Sequence, residues 1–230
     1  AGSVNGPLAD GSTVTANQLI YKPEVLWSYE GGFKLKLMGG DLRINGSAYY
    51  YDYKDYQVFT FVNVSGVVSN EKAKIKGVEL EVVAAPVQGL TISVSGSYND
   101  ASVKGLEYAP GLTKNVRPVY SPKYQANYLV RYEWPLANGD FAVQADGSYT
   151  GSRFGNLRNF TAHKLDSFFL QNFRVSWESG DEAWQLSAFV NNAFDKRYAI
   201  ERFDLSTLCG CTNESFGLPR WYGASVRYSF

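Results

Sequence analysis

The sequence is short of most of what a chemist would look for first. In 230 residues it has one histidine, one methionine and two cysteines. It has no excess charge of either sign, since 22 basic residues balance 22 acidic ones. A neutral balance provides no basic field for nucleic acid and no acidic tail, so nucleic-acid binding is not expected. No apolar run approaches the roughly 18 to 20 residues of a membrane helix, and mean hydropathy is −0.25. The opening "AGSVNGPLAD" has no initiating Met, basic segment or apolar signal core, so a removed leader or a longer parent chain is expected.

The scarcity extends to catalytic chemistry. His163, in "NFTAHKLD", could pair with Asp166 as half of an acid–base site. No GxSxG elbow accompanies it, and no enzyme activity is expected. Cys209 and Cys211 in "TLCGCTNE" lack a second cysteine pair, so neither a zinc site nor any other metal or cofactor is read from them. A local disulfide in an oxidising compartment is the simpler reading. Glu79 and Glu81 share one strand face with Lys76 nearby, a pattern of lumen charges that pair across strands.

What is abundant is aromatic and glycine content: 16% aromatic, with 17 Tyr, 14 Phe and 22 Gly. These residues favour strands and turns over helices. Period-two alternation recurs along the whole chain. In "LTISVSGSY", Leu90, Ile92, Val94 and Tyr98 face one way and Thr91, Ser93, Ser95 and Ser97 the other. "YQANYLVRYEW" and "FAVQADGSY" repeat the pattern, as does the closing run Tyr222, Ala224, Val226, Tyr228, Phe230. Further strands are expected at about 24–38, 41–60, 70–86, 165–178 and 183–195, for about nine strands in all.

Short connections with turn chemistry, "MGGD", "PVQG", "LANGD" and "ESGDE", alternate with long ones near 61–70, 101–121, 153–164 and 196–217. One end of the sheet then carries tight turns and the other long loops, the meander of an outer-membrane barrel. Trp134, Phe141, Trp177, Trp184 and Phe230 gather at the tight-turn end. Tyr124 lies ten residues before Trp134, which at ~3.3 Å per residue and ~40° of tilt is roughly 25 Å of height, the apolar band between two aromatic girdles. A soluble β-sandwich also alternates, but strands of about 10–15 residues exceed the usual five or six of soluble sheets. The reading is all-β, an antiparallel up-and-down transmembrane β-barrel.

Several stretches carry a more specific likeness. "KPEVLWSYEGGFKLKL", "SAYYYDYKDYQ", "KIKGVELEVVAAP", "GLTISVSGSYNDA", "FVNNAFDKRY" and "GLPRWYGASVRYSF" resemble, in order, the C-terminal half of the TonB-dependent outer-membrane receptors. The resemblance implies a 22-stranded barrel around an N-terminal plug whose TonB box engages the TonB–ExbB–ExbD system. Residues 1–230 then correspond to a fragment of about 9 strands, 14 to 22 of the barrel, led by an extracellular loop at residues 1–23. The plug and TonB box are expected outside this chain.

The same resemblance implies a bacterial outer-membrane location, multi-pass in outer-membrane lipid, and active uptake of a scarce nutrient: a ferric siderophore, vitamin or glycan-type ligand. It casts Tyr222, Val226, Tyr228 and Phe230 as an insertion signal read by the barrel assembly machinery. Small-molecule ligand contacts are expected in the long loops, with Arg117, Tyr120, Arg153, Arg158, His163 and Arg202 as candidates beside Tyr108 and Phe203. The arginines suit an anionic ferric siderophore; aromatic strand tops suit a sugar or an aromatic nutrient. A passive porin or adhesin barrel is the alternative function, and a soluble carbohydrate-binding module a third.

Overall fold

The computed structural model describes residues 20–62, 65–109, 111–205 and 209–230. The leading loop expected at residues 1–23 lies outside the described residues up to residue 19. Nine long strands follow: β1 (Val25–Leu37), β2 (Leu42–Val62), β3 (Ser65–Ala84), β4 (Leu90–Ala109), β6 (Tyr124–Pro135), β7 (Gly139–Thr150), β10 (Phe168–Ser179), β11 (Trp184–Asn191) and β14 (Trp221–Tyr228). Short strands lie between them: β5 (Leu112–Val116), β8 (Arg153–Phe154), β9 (Lys164–Leu165), β12 (Ala199–Leu205) and β13 (Cys211–Phe216).

The long strands pair in the order β1-β2-β3-β4-β6-β7-β10-β11-β14, every pair antiparallel. Each neighbour in the sheet is the next long strand in the chain, so the connections never cross. β1 and β14 each pair on one side, which leaves the sheet open.

Tight turns set the lower rim. At Ala137–Asn138 both residues have positive φ, and Leu136 and Gly139 exchange backbone hydrogen bonds. That is the two-residue hairpin whose twist matches paired strands. Asp181 closes the next turn, accepting from the Ala183 amide and the Ser179 hydroxyl.

Register fixes which residues share a face, because side chains alternate with period two. Trp134, Phe141 and Trp177 lie opposite one another across β6, β7 and β10, and Trp184 lies opposite Tyr228. Ring centroids are 4.9 Å apart for Trp134–Phe141, 4.7 Å for Trp184–Tyr228 and 6.4 Å for Tyr228–Phe230. A second belt crosses the same face higher up, through Tyr29–Tyr50 and Tyr98–Tyr124 at 6.5 and 5.3 Å. Between the belts, Leu35, Ile44, Leu80, Val82, Val94, Val130, Val143, Val175 and Leu186 stay on this outer face, and several are 37–50% exposed. An apolar band between aromatic belts on an exposed face is what a bilayer covers.

One polar residue interrupts the band without cost. Gln171 has the outer-face parity yet is buried beneath stacked Tyr128 and Phe169. It accepts from the Tyr128 hydroxyl and donates to the carbonyls of Asp146 and Asn172. Gly147 makes the room, since a Cβ there would meet both rings.

Three expected long loops are corrected in extent. The stretch 61–70 is mostly strand, because β2 runs to Val62 and β3 starts at Ser65. The loop at 101–121 begins late, as β4 continues to Ala109 and β5 folds back onto it. The region 196–217 is a hairpin of β12 and β13. The strand expected at 183–195 ends at Asn191. The main buried apolar cluster sits in these extensions, on the face opposite the apolar band: Val58, Ala73, Val103, Leu106, Val116 and Leu157, with Tyr53 and Tyr56 against it.

Candidate functional site

The long-loop end is a folded layer. Residues 117–121 after β5, residues 151–165 around β8 and β9, and the β12–β13 hairpin interlock largely through side chains bonded to backbone. Arg117 donates from Nη2 to the carbonyls of Ser121 and Ser152, at 3.0 and 2.6 Å, with its guanidinium 5.3 Å over the Phe154 ring. Asn159 acts as a backbone mimic beside it. Its Oδ1 accepts from the Arg117 amide and its Nδ2 donates to the Arg117 carbonyl, at 2.6 and 3.0 Å.

Arg153 is buried, donates to the Ala199 carbonyl and lies 5.3 Å over Phe168. His163 is buried too, with its ring 5.7 Å from that of Phe160, and its carbonyl accepts from the Gly155 amide. Arg202 donates to Glu214 at 2.8 Å and to the Lys164 carbonyl. Arg158 is half-buried, its amide donating to Asn156. Tyr120 is held by its amide to the Phe154 carbonyl and is 44% exposed, so its ring is only partly covered by the layer.

Burial orders the charges in this layer. It lowers the guanidinium pKa of Arg117 and Arg153, opposed by Asp100 at the first and by Tyr120 at the second. Tyr120 is raised by burial and then by Glu201, with Arg153 pulling the other way. So the candidate residues gather in one layer, and Arg117, Arg153 and Arg202 spend donors on carbonyls of neighbouring loops. Tyr108 joins the same layer, edge-on to Phe160 at 6.0 Å, with Lys114 set over both rings. Cys209 and Cys211 are disulfide-bonded at the hairpin tip. Among the described residues no group of His, Cys, Asp and Glu is arranged to hold a metal ion.

Below this layer lies a wall that the sequence reading does not single out. Tyr49, Tyr51 and Tyr53 share the inner face of β2, where Tyr49 and Tyr51 stack at 5.0 Å. Tyr51 donates to Glu30 at 2.6 Å, and Ser28 donates to the same oxygen. Tyr49 donates to Asn99, which donates in turn to the Ser121 hydroxyl of the loop layer. The signal was present in "SAYYYDY": the period-two tyrosines fall on the polar face, where aromatics have no membrane to contact. Lower still, Asn45 donates to Glu81, and Asn172 and Gln144 both donate to Asp146, so the inner wall carries hydrogen-bonded polar groups well below the tyrosines.

An arc with an apolar outer band, a polar inner wall and a folded loop layer has the shape of one side of a large barrel with a roof over its lumen. The family model described as TonB dependent receptor-like, beta-barrel matches residues 3–193. The chain belongs to this family. As a TonB-dependent receptor barrel it superposes on the ferric yersiniabactin uptake receptor FyuA of Yersinia pestis with a TM-score of 0.74 at 20% identity, covering 90% of this chain and 30% of that one. BauA, the ferric preacinetobactin receptor of Acinetobacter baumannii, gives 0.71 at 18%, covering 100% and 32%. The ferripyoverdine receptor of Pseudomonas aeruginosa gives 0.67 at 19%, covering 92% and 28%. This receptor barrel therefore spans about a third of the length of those solved structures. The family is one of outer-membrane receptors and transporters, not of enzymes.

Proposed function

We infer that this chain is the C-terminal part of the barrel of an outer-membrane receptor for active, TonB-energised uptake of a ferric siderophore. The observation that carries the reading is the family match, joined to an inner tyrosine wall directly beneath a rigid loop layer. The named solved neighbours are receptors for ferric siderophores. Loops braced on one another hold a binding surface in shape before ligand arrives, which cuts the ordering cost of binding. Tyr49 and Tyr51 offer amphipathic rings that stack on a planar chelating group while their hydroxyls stay hydrogen-bonded to Asn99 and Glu30.

In this reading thirteen further strands and a plug precede β1 in the complete protein and close the gap between β1 and β14. The plug carries the TonB box, the TonB–ExbB–ExbD system supplies energy, and the assembly machinery reads β14. The test is uptake of radiolabelled iron, presented as several ferric siderophores, by cells with and without the intact gene, each with and without TonB. Uptake that requires both supports the reading. Diffusion-like uptake independent of TonB returns the function to a passive porin, and growth defects confined to cobalamin or glycan sources reassign the ligand. Tyr51→Ala should weaken uptake of the cognate complex while leaving surface level unchanged.

A further inference from the structure

One arginine of the loop layer keeps donors in reserve. Arg117 and Arg202 bond to groups on neighbouring loops. Arg153 is 7% exposed, and its Nη1 is buried without a hydrogen-bond partner. Its Nη2 reaches the Ala199 carbonyl at 3.3 Å, longer than an ordinary bond of about 2.7–3.2 Å. Among the described residues it forms no ion pair. A buried guanidinium with an unmet donor is costly and native proteins carry few of them, so this one calls for an acceptor.

The position of Arg153 limits what that acceptor can be. Its guanidinium lies 5.3 Å over Phe168, and Phe168 shares the parity of Asn172 and Arg174 on the inner wall. The charge therefore sits at the upper edge of the lumen, where the loop layer meets the barrel. Beside it, the Tyr120 amide donates to the carbonyl of Phe154, the next residue, and Tyr120 and Arg153 act on each other's charge. Tyr120 has a φ of 51°, and no other aromatic among the described residues has a positive φ. A bulky side chain holds that backbone only under strain, and such strain collects at ligand clamps and switch regions.

We propose that Arg153 selects a ferric siderophore that leaves a carboxylate free of the iron. The strained turn at Tyr120 relaxes to an extended φ, and the carboxylate takes Nη1 and Nη2 together while the long bond to Ala199 is released. The two oxygens of a carboxylate match this planar fork. A dianionic phosphate suits the spot less, because Glu201 also acts on Tyr120 and like charges held together are costly. The proposal rests on the siderophore reading. It adds a contact across the arc from the Tyr49–Tyr51 wall, since four strands separate β2 from β10.

The test is binding by the complete receptor in detergent, read as quenching of its intrinsic fluorescence. The probes are ferric dicitrate and ferric aerobactin, which keep free carboxylates, and ferrioxamine B, which has none. The wild type should bind a carboxylate complex, and Arg153→Gln should weaken that binding about thirtyfold. Arg153→Lys should not restore it, because an ammonium has no fork. The Tyr120 amide should exchange faster in that complex than in the free receptor. Wild-type binding of neither carboxylate complex, unchanged binding by Arg153→Gln, or unchanged exchange at Tyr120 overturns the proposal. A loss of binding that comes with faster exchange across the free β12–β13 hairpin gives Arg153 a bracing role only, and overturns it too. TonB-independent iron uptake overturns the siderophore reading instead, whereas TonB-dependent uptake of ferrioxamine B alone overturns only this inference.

Discussion

Asn192 clamps the loop that follows β11, and its removal gives the sharpest test of how the upper structure is held. The residue is 5% exposed. Its Nδ2 donates to the carbonyls of Lys196 and Leu218 at 2.9 and 3.1 Å, and its Oδ1 accepts from the Lys196 amide at 2.8 Å. Its backbone has a positive φ of 49°, a conformation that Asn tolerates and Ala resists by about 1 kcal/mol. Asn192→Ala deletes three hydrogen bonds worth about 1 kcal/mol each and adds that strain, so about 3–4 kcal/mol is lost locally.

The clamp closes one end of the loop that carries Arg197, whose guanidinium lies 4.2 Å over Phe216. Arg197 is exposed, but trypsin needs several residues on either side of it in extended form, so cleavage requires this loop to undock. A loss of about 3 kcal/mol raises the open population roughly a hundredfold, and cleavage should rise with it. Asn192→Asp keeps the acceptor and the backbone preference but turns a carboxylate oxygen toward two carbonyl oxygens at a buried site, so it should be at least as labile as alanine. The measurement is the initial rate of cleavage at Arg197 in folded, detergent-solubilised protein. An alanine variant cut at the wild-type rate, or an aspartate variant as resistant as wild type, would refute the clamp.

Three other expectations follow from the same contacts. Gly155→Ala places a Cβ 2.6 Å from the Arg202 carbonyl, so it should part the β8–β9 loop from the β12–β13 hairpin, seen as faster amide exchange in both and unchanged exchange in β6 and β7. At the tight-turn end, hydrogen bonds from Ser179 and then the Ala183 amide hold the Asp181 carboxyl below its ordinary pKa. A carboxylate depressed on folding stabilises the turn above its unfolded pKa, and that stabilisation disappears as pH falls through the folded value. Ser179→Ala should move the Asp181 titration upward in an NMR pH series; an unmoved midpoint would show that the hydroxyl has no part in it. Deleting Phe230 from the complete protein should reduce the amount inserted in the outer membrane, measured by surface labelling, and unchanged surface levels would remove its role as an insertion signal.

The nine strands were legible because a bilayer on one side and water on the other impose period two over long stretches. The turns were legible because "LANGD" and "ESGDE" carry the residues that positive φ and Asx bonding require. The stretch 61–70 misled because Ser, Gly and Asn read as loop composition. Above the membrane both faces of a strand meet water or loop, so the apolar alternation that marks a strand fades while pairing continues. The register shift between Tyr53 and Tyr56 also breaks the parity there. Among the candidate residues, sequence brought the right loops together but not their partners. The groups that Arg117, Arg153 and Arg202 hold are backbone carbonyls at Ser152, Ala199 and Lys164, and a carbonyl has no signature in a sequence. The inner tyrosines are legible too, since Tyr49, Tyr51 and Tyr53 share the parity of Asn45 and Ser47, polar residues of the same strand.

The position of the buried cluster around Val103 and Leu157 has a consequence for how this surface can change over time. The core that keeps the roof in shape lies below its tips, and at the tips Gly111, Leu112 and Gly210 make no part of it. A large molecule approaching from the long-loop side meets those tips first. Substitutions there can change the exposed outline of the loops while the braced layer and the tyrosine wall beneath it keep their geometry, so surface variation and the upkeep of the scaffold fall to different residues of the same loops.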